Sequence, residues 1–213
     1  MKYNKFPQIS NNLWKQKSTA SNSQMEGRQL LNNSNTNSNK KIFNMYDSVT
    51  TDNFTYQIHK VEKSKKRGVL PIPTDYPNVT YDLNGTITDN QYYLIIKLTM
   101  KNNTNKNKEM YLNSNHVIFK NNKNKVIDIW DPWLLDINPE KQFDHNYFAH
   151  TFKPKETLTF HLGFIVPDDD VKYNNIIFLI NNSGQENPNY QEGELARYSE
   201  NARFIKISWE GSK

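Results

Sequence analysis

The segment 129–136, which reads Ile-Trp-Asp-Pro-Trp-Leu-Leu-Asp, carries the side chains best suited to ligand recognition. Trp130 and Trp133 offer large flat faces that can stack on a sugar ring or on a partner's surface. Aspartates in the same segment can accept hydrogen bonds from ligand hydroxyl groups. Large exposed apolar patches are rare on soluble domains, so we expect both tryptophans to be buried as a plug at one end of a core. The candidate ligand-binding residues are Trp130, Asp131, Trp133 and Asp136.

Metal-binding patterns are weak in this chain. The five histidines form neither an HxH nor an HExxH motif, which would bring two imidazoles onto one metal. His145 and His150 flank a short segment beside Asp144, where zinc or copper is one interpretation, but we interpret them as ordinary surface or strand histidines. Asp168–Asp170 follow Pro167 without the spacing of a calcium loop, so we expect a solvated turn. We predict no metal site.

Motifs typical of enzymes are absent from the sequence. There is no GxSxG elbow, no GxxxxGK[ST] loop and no Rossmann glycine fingerprint. The chain has no cysteine, which excludes disulfides, thiolate metal sites and cysteine nucleophiles. We therefore predict a protein that is not an enzyme and has no catalytic residues and no cofactor. A hydrolase or metal-dependent enzyme on a β-sandwich is the alternative, since sequence alone cannot place two carboxylates across a substrate.

The positive charge of the protein is concentrated at its N-terminal end. Residues 1–41 contain six lysines and Arg28 against Glu26 alone, whereas residues 42–213 contain 20 basic and 21 acidic residues. Asn, Ser, Lys and Gln dominate residues 1–41, so we predict a disordered basic tail. Any contact with a membrane or wall is expected through this tail. Because the remainder is nearly neutral, we expect no nucleic-acid partner.

From residue 42 onward, short apolar runs alternate with clusters of Asn, Lys, Asp and Pro. The clearest strands are Tyr92–Met100 and Thr157–Val166, in which alternate residues are large and apolar. Tyr93 and Ile95 make the second face of the first of these strands partly apolar, as in a central strand of a sandwich. Further strands are predicted at Phe54–His59, Val79–Thr88 with a turn at Asn84–Gly85, His116–Lys120, Val126–Ile129, Asn175–Ile180 and Arg203–Trp209.

Other segments are predicted to be loops and turns. The prolines within 69–78 indicate a loop, and short helical turns are predicted at Pro139–Phe143 and Tyr190–Tyr198. Three turns rich in Lys and Asn could gather at one end to bind a polyanion, or could simply be exposed turns that protect sheet edges. These turns are Lys63–Arg67, Lys101–Lys108 and Lys120–Lys125.

The order of the segments resembles a known family. Asp52–Ile58 opens the region, Tyr92–Asn103 reads YYLIIKLTMKNN, and Leu162–Pro167 reads LGFIVP after the turn Phe152–Thr157. This order is similar to the immunoglobulin-like extracellular domains of uncharacterised Gram-positive lipoproteins, called domain of unknown function 4352, and their relatives. The resemblance covers about residues 47–209. Lys155-Glu156 departs from the family's usual Gly-Glu pair.

We therefore expect an all-β, immunoglobulin-like antiparallel sandwich over residues 42–213 behind the tail 1–41. The resemblance implies a non-enzymatic secreted or cell-surface module. From the alternating strands, the missing catalytic motifs and the layout of tail and domain, we expect it to bind a protein or glycan partner. No signal peptide or lipid-anchor cysteine is visible in the sequence. A structural spacer domain is a further alternative.

Overall fold

A computed structural model describes residues 42–51, 53–73, 76, 78–142, 144–171, 175–180 and 202–209. The predicted tail 1–41 and the predicted helical turn Tyr190–Tyr198 lie outside the described residues and stay predictions. Within the described part of the chain, no helix has the length and apolar character needed to cross a membrane.

The regular secondary structure of the described residues is almost entirely β-strand, as the alternating sequence predicts. Helical structure there is limited to one short α-helix, α1 (Asp168–Val171), and 3₁₀ turns at Leu112–Ser114 and Pro139–Lys141. The strands are β1 (Ile42–Asn44), β2 (Val49–Thr50), β3 (Phe54–Ser64), β4 (Gln91–Asn102), β5 (Lys108–Tyr111), β6 (His116–Lys120), β7 (Val126–Trp130), β8 (Leu134–Leu135), β9 (Ala149–Phe152), β10 (Thr157–Pro167), β11 (Asn175–Ile180) and β12 (Arg203–Ile207).

Two five-stranded sheets form the sandwich. The first sheet has the order β1-β12-β11-β6-β7, and the second has the order β2-β3-β4-β10-β8. The strand pairs are antiparallel except β1 with β12, and β5 pairs with β9 in a small separate sheet. The prediction of an all-β, immunoglobulin-like sandwich is therefore confirmed.

The main core lies between the two sheets. The second sheet contributes alternate residues of its central strands, such as Leu94 and Phe160, and the first sheet contributes residues such as Phe119 and Phe178. The predicted apolar face of β10 points into this core, with Leu158 partly buried at its margin, because side chains of a strand alternate between its two faces. Each aromatic ring buried here removes a large apolar area from water.

The outer face of the second sheet carries a separate apolar cluster. Tyr93 and Ile95 of β4 pack there with Ile165 of β10, and Leu70 and Ile87 cover them from the loop between β3 and β4. This cluster explains why the second face of β4 is apolar. The Pro-rich part of the loop therefore packs on the outer face of the sheet. It also connects β3 to β4, as its prolines predict.

The loop is shaped by a tight turn that the sequence predicted. Gly85 has a positive φ of 77°, which costs glycine little, and its N–H donates to the carbonyl of Asp82 at 2.9 Å. The Tyr93 hydroxyl donates to the Gly85 carbonyl at 2.7 Å. The predicted strand Val79–Thr88 was wrong in extent, because only a single bridge between Tyr81 and Ile87 forms around this turn.

Other local predictions have mixed outcomes. The hairpin between β6 and β7 is confirmed, with Lys120 opposite Val126. The turns at Lys63–Arg67 and Lys101–Lys108 do not gather, because Lys63 pairs with Leu94 while Lys101 pairs with Thr55 at the other end of β3. The solvated turn predicted at Asp168–Asp170 was wrong, since these residues form α1 and Asp170 is buried.

We expect Gly163→Ala to lower the free energy of unfolding by roughly 1–3 kcal/mol, because overpacking strains a filled site. A Cβ at Gly163 would overlap Leu70 Cδ1 and lie 3.0 Å from Leu134 Cβ. Urea unfolding monitored by circular dichroism measures the loss. In a Leu70→Ala background, Gly163→Ala should cause a smaller loss in the free energy of unfolding, because the overlapping methyl group of Leu70 is absent. Strictly additive losses would show that Leu70 is not the obstacle.

Candidate ligand-binding site

The segment 131–133 carries the chain from one sheet to the other. It leaves β7, the edge strand of the first sheet, and enters β8, the edge strand of the second. The Trp133 N–H donates to the Gly163 carbonyl of β10 at 2.8 Å, and Leu134 pairs with Gly163. The segment is therefore fixed to the second sheet at the first residue after Pro132.

Trp130 is half-buried and packs against the main core. Its indole Nε1 donates to Asp170 Oδ2 at 2.7 Å. The partial burial of Trp130 agrees with the prediction that its ring closes one end of the core. The hydrogen bond pairs the only polar atom of its side chain. Trp130 therefore stabilises the corner of the sandwich between β7 and α1.

Trp133 does not follow the prediction of burial, since it is 40% exposed. Leu134 and Leu135 already occupy the buried positions on the two faces of β8, so the ring of Trp133 lies outside both clusters. It packs edge-to-face on Tyr76, with ring centroids 4.8 Å apart and an interplanar angle of 88°. The prediction of a two-tryptophan plug is thus wrong for Trp133.

Tyr76 is the member of this site that the sequence did not indicate. It lies in the loop between β3 and β4, and its hydroxyl donates to the Ile165 carbonyl at 3.3 Å. Burial, together with the carboxylates of Asp131 and Asp128, raises the pKa of Tyr76 to about 12. The sequence of a Pro-rich loop does not indicate which strand an aromatic residue in it will contact. The position of Tyr76 therefore follows only from the path of the loop in the structure.

Asp131 precedes Trp133 by two residues and is the more exposed of the two predicted acidic residues. Its side chain is 72% exposed, and its Oδ1 lies 2.5 Å from His116 Nδ1 at the start of β6. Asp128, on β7, is also exposed and is held by a hydrogen bond from the Ile129 N–H at 2.8 Å. Both carboxylates contribute to the raised pKa of the Tyr76 hydroxyl.

Asp136, the fourth predicted site residue, has a different partner. Its Oδ2 lies 2.6 Å from His161 Nδ1, and its Oδ1 accepts the His161 N–H at 2.8 Å. The carboxylate is thereby engaged by β10 through both oxygens. The structure brings the exposed Trp133 into contact with the half-buried Tyr76. We call these two residues, with Asp131, the aromatic corner; Trp130 and Asp136 have structural partners of their own.

His150, one of the two histidines of the alternative zinc or copper site, lies in the small separate sheet. His150 lies on β9 with its ring packed edge-to-face on Phe152 at 4.7 Å. Burial lowers the pKa of His150 below its ordinary value, and its Nε2 is buried without a hydrogen-bond partner. Among the described residues, no group of three or more His, Asp or Glu side chains is placed to hold a metal ion.

Comparisons with known proteins give likenesses of overall structure. No protein-family model matches the chain, and no curated protein matches it. The yjhA protein from Bacillus subtilis is similar at 16% identity and a TM-score of 0.48, covering 78% of this chain and 99% of its own. An uncharacterized beta-sandwich protein from Clostridium difficile 630 is similar at 10% identity and a TM-score of 0.44, covering 83% of this chain and 100% of its own.

A third solved structure, a putative lipoprotein (ycdA) from Bacillus subtilis strain 168, is similar at 13% identity and a TM-score of 0.43. The match covers 77% of this chain and 38% of that one. At such identities none of these likenesses indicates a ligand for this chain.

The buried carboxyl group of Asp170 makes the stability of the protein depend on pH. Burial raises its pKa above the ordinary value of 3.8; the Trp130 hydrogen bond opposes this effect, and Asp128 and Asp169 add to it. The folded state thus binds this proton more tightly than the unfolded state. The resulting stabilisation is complete below pH 3.8 and is lost as the pH rises through the folded pKa.

Asp170→Asn retains an acceptor for Trp130 but cannot ionise. We therefore expect its free energy of unfolding to increase relative to that of the parent protein as the pH rises from 3.5 to 7. Urea unfolding of both proteins at pH 3.5 and pH 7 measures the change in their difference. Asp170→Ala is the control, because it leaves the indole N–H without an acceptor and should lose stability at both values. A difference between Asp170→Asn and the parent that does not change with pH would contradict this assignment.

Proposed function

We propose that this domain is a non-enzymatic binding module, secreted or displayed at the cell surface, that recognises a protein or glycan partner at the aromatic corner. The observation that carries the proposal is the edge-to-face pair of the exposed Trp133 and the half-buried Tyr76, on whose hydroxyl group the Asp131 carboxylate acts. An aromatic ring beside hydrogen-bonding carboxylates offers both an apolar face and polar acceptors to a ligand.

Preorganisation supports a recognition role for this pair. The Trp133 backbone and the Tyr76 hydroxyl each bond to a carbonyl of β10. Side chains that are held before a partner arrives lose less conformational freedom on binding, so more of the interaction energy appears as affinity. Tryptophan and tyrosine are also enriched among the residues that dominate the energy of protein interfaces.

The enzyme alternative requires two carboxylates, or a nucleophile and a base, that face one substrate. The two acidic residues predicted from sequence instead accept hydrogen bonds from separate histidines, Asp131 from His116 and Asp136 from His161. These pairs lie on different sheets, on β6 and β10. A role in binding explains why the ring of Trp133 is exposed, and it does not require any of these residues to take part in a reaction.

A surface location is the part of the proposal that rests on the sequence. In their order, the segments Asp52–Ile58, Tyr92–Asn103 and Leu162–Pro167 resemble extracellular immunoglobulin-like domains of Gram-positive lipoproteins. In that setting a binding module would meet wall polymers, glycans and other surface proteins. The spacer alternative predicts no specific ligand and is separated from the proposal by direct binding measurements.

We expect the domain to bind a specific member of a glycan or surface-protein array in a saturable manner, and Trp133→Ala to weaken that binding about tenfold or more. The matched control is Tyr46→Ala, which removes an aromatic ring that is 65% exposed at the other sheet crossing, between β1 and β2. Biolayer interferometry measures the affinities, and circular dichroism verifies that both variants fold.

Three outcomes would contradict the proposal. The absence of any saturable ligand would favour the spacer, and equal losses in both variants would place the binding surface elsewhere. Chemical turnover of an array compound, destroyed by substitution of Asp131 or Asp136, would favour the enzyme.

A further inference from the structure

A concentration of lysines lies where two connections meet at one end of the sandwich. Residues 101–109 connect β4 to β5, and residues 153–157 connect β9 to β10. Together these two segments, which we call the lysine end, contain five lysines and two glutamates. Residues 42–213 as a whole are nearly neutral, so the positive charge of the folded region is concentrated here. The five lysines are Lys101, Lys106, Lys108, Lys153 and Lys155.

The side chain of Asn102 holds the two segments together. It is fully buried, and its Nδ2 donates to the carbonyls of Lys106 at 2.8 Å and Lys153 at 2.9 Å. Its Oδ1 accepts the Thr104 N–H at 2.9 Å, and the Lys155 N–H donates to the Thr104 carbonyl at 3.3 Å. Both polar atoms of the buried amide are satisfied, so the backbone that carries the lysines is held in one arrangement.

The lysines of this end are not neutralised by carboxylates. Within the described part of the chain, none of the five forms an ion pair. Glu156 is engaged by its own turn, since its Oε2 accepts the Lys153 N–H at 2.6 Å, and Glu109 is an exposed residue of β5. Lys155 Nζ donates to the Asn103 carbonyl at 2.5 Å, which positions the ammonium group without removing its charge. The exposed members are Lys101, Lys106, Lys153 and Lys155.

Lys155 occupies a backbone position that disfavours lysine. Its φ is 61°, and it is the third residue of a turn in which the Glu156 N–H donates to the Lys153 carbonyl at 3.1 Å. With Pro154 at the second position, this is the pattern of a type II turn, which favours glycine at the third. A residue with a Cβ is strained in this left-handed region. The chain thus carries an ammonium group here at a local loss of stability, and strain of this kind is concentrated at functional sites.

The composition of the lysine end indicates which kind of anion fits it. All of its cations are lysines, which attract phosphate as point charges, whereas arginine provides the planar fork that matches a carboxylate. Asn105 and Asn107 add exposed side-chain amides, which can bond to hydroxyl groups. Among the described residues, the large exposed hydrophobic side chains all lie outside 101–109 and 153–157. The two segments therefore offer no ring to stack on a nucleobase and no apolar side chain to enter a lipid layer.

We infer that the lysine end binds a linear polymer of polyol units linked by phosphodiesters. Its phosphates contact Lys101, Lys106 and Lys155, and its hydroxyl groups bond to the asparagine amides between them. This surface lies at the start of β10, whereas the aromatic corner is bonded to carbonyls near the end of that strand. The lysine end is therefore a second binding surface, and it does not depend on the function proposed for the aromatic corner.

The first test measures binding of the full chain to a synthetic glycerol phosphate decamer by isothermal titration calorimetry at low salt. We expect saturable binding, which Lys101→Gln combined with Lys155→Gln weakens about tenfold because two ionic contacts are lost. The matched control is Lys123→Gln combined with Lys125→Gln, which removes the same charge from the exposed turn between β6 and β7. The control should change the affinity less than about twofold.

Two results of this test would overturn the inference. The absence of saturable binding would remove the ligand. Equal losses in the two double variants would show that binding follows the net charge of the chain, to which the basic residues 1–41 also contribute, and would remove the site.

A second test separates binding from folding at Lys155. Lys155→Gly removes the ammonium group and relieves the strained backbone. We therefore expect the midpoint of urea unfolding not to fall, while the affinity for the decamer falls about threefold. An unchanged affinity, or a lower affinity accompanied by a lower midpoint, would assign Lys155 a structural role and contradict the inference.

Three other anions test the chemistry of the partner. We expect the decamer to bind about threefold or more tightly than decaglutamate, which has no phosphate, or an oligothymidylate with ten phosphates, whose bases find no aromatic partner. Vesicles of phosphatidylglycerol present the same glycerol phosphate group on a lipid surface and should bind more weakly than the decamer. A preference for the acidic peptide, the oligonucleotide or the vesicles would replace the polyol phosphate by that class of partner.

Discussion

The pairing of β10 with β4 is the constraint on which the other parts of the structure depend. The two strands are in register from Thr157 opposite Lys101 to Pro167 opposite Gln91. Because side chains alternate between faces, a shift by one residue would move every core side chain of β10 to the outside. The same register fixes Gly163 and Ile165 on the outer face, where the loop between β3 and β4 packs.

The aromatic corner is a consequence of that register. Gly163 has no side chain, so Leu70 and Leu134 approach the strand closely, and its carbonyl accepts the Trp133 N–H. Two residues further along, the Ile165 carbonyl accepts the Tyr76 hydroxyl. Carbonyls two residues apart point to the same side of a strand, so β10 determines the relative position of two rings that are distant in sequence.

The sequence predicted the longer strands well, because apolar residues recur along them, but it did not predict β1, β2, β5, β8 or β9, which are too short to show a period. The long strands β4 and β10, and the hairpin between β6 and β7, are examples of the predicted strands. It predicted less where a residue's environment depends on a distant segment. Trp133 seemed suited to burial by its size alone, but β8 is only Leu134–Leu135 and fills both faces before the ring can enter. Asp170 seemed suited to solvent by its charge, but Trp130 donates to it in a buried corner.

The two tryptophans of one short segment have separate roles because Pro132 and the change of sheet lie between them. Trp130 ends an edge strand of the first sheet, where its ring closes the main core and its indole N–H needs the acceptor on α1. Trp133 begins the attachment to the second sheet through its backbone, which leaves its ring without a structural task beyond contact with Tyr76. Replacing the first ring would therefore lower stability, whereas replacing the second removes exposed surface while the backbone bond to Gly163 remains. A surface that can change without loss of the fold is one in which binding specificity can evolve, and this separation makes the aromatic corner a suitable place for it.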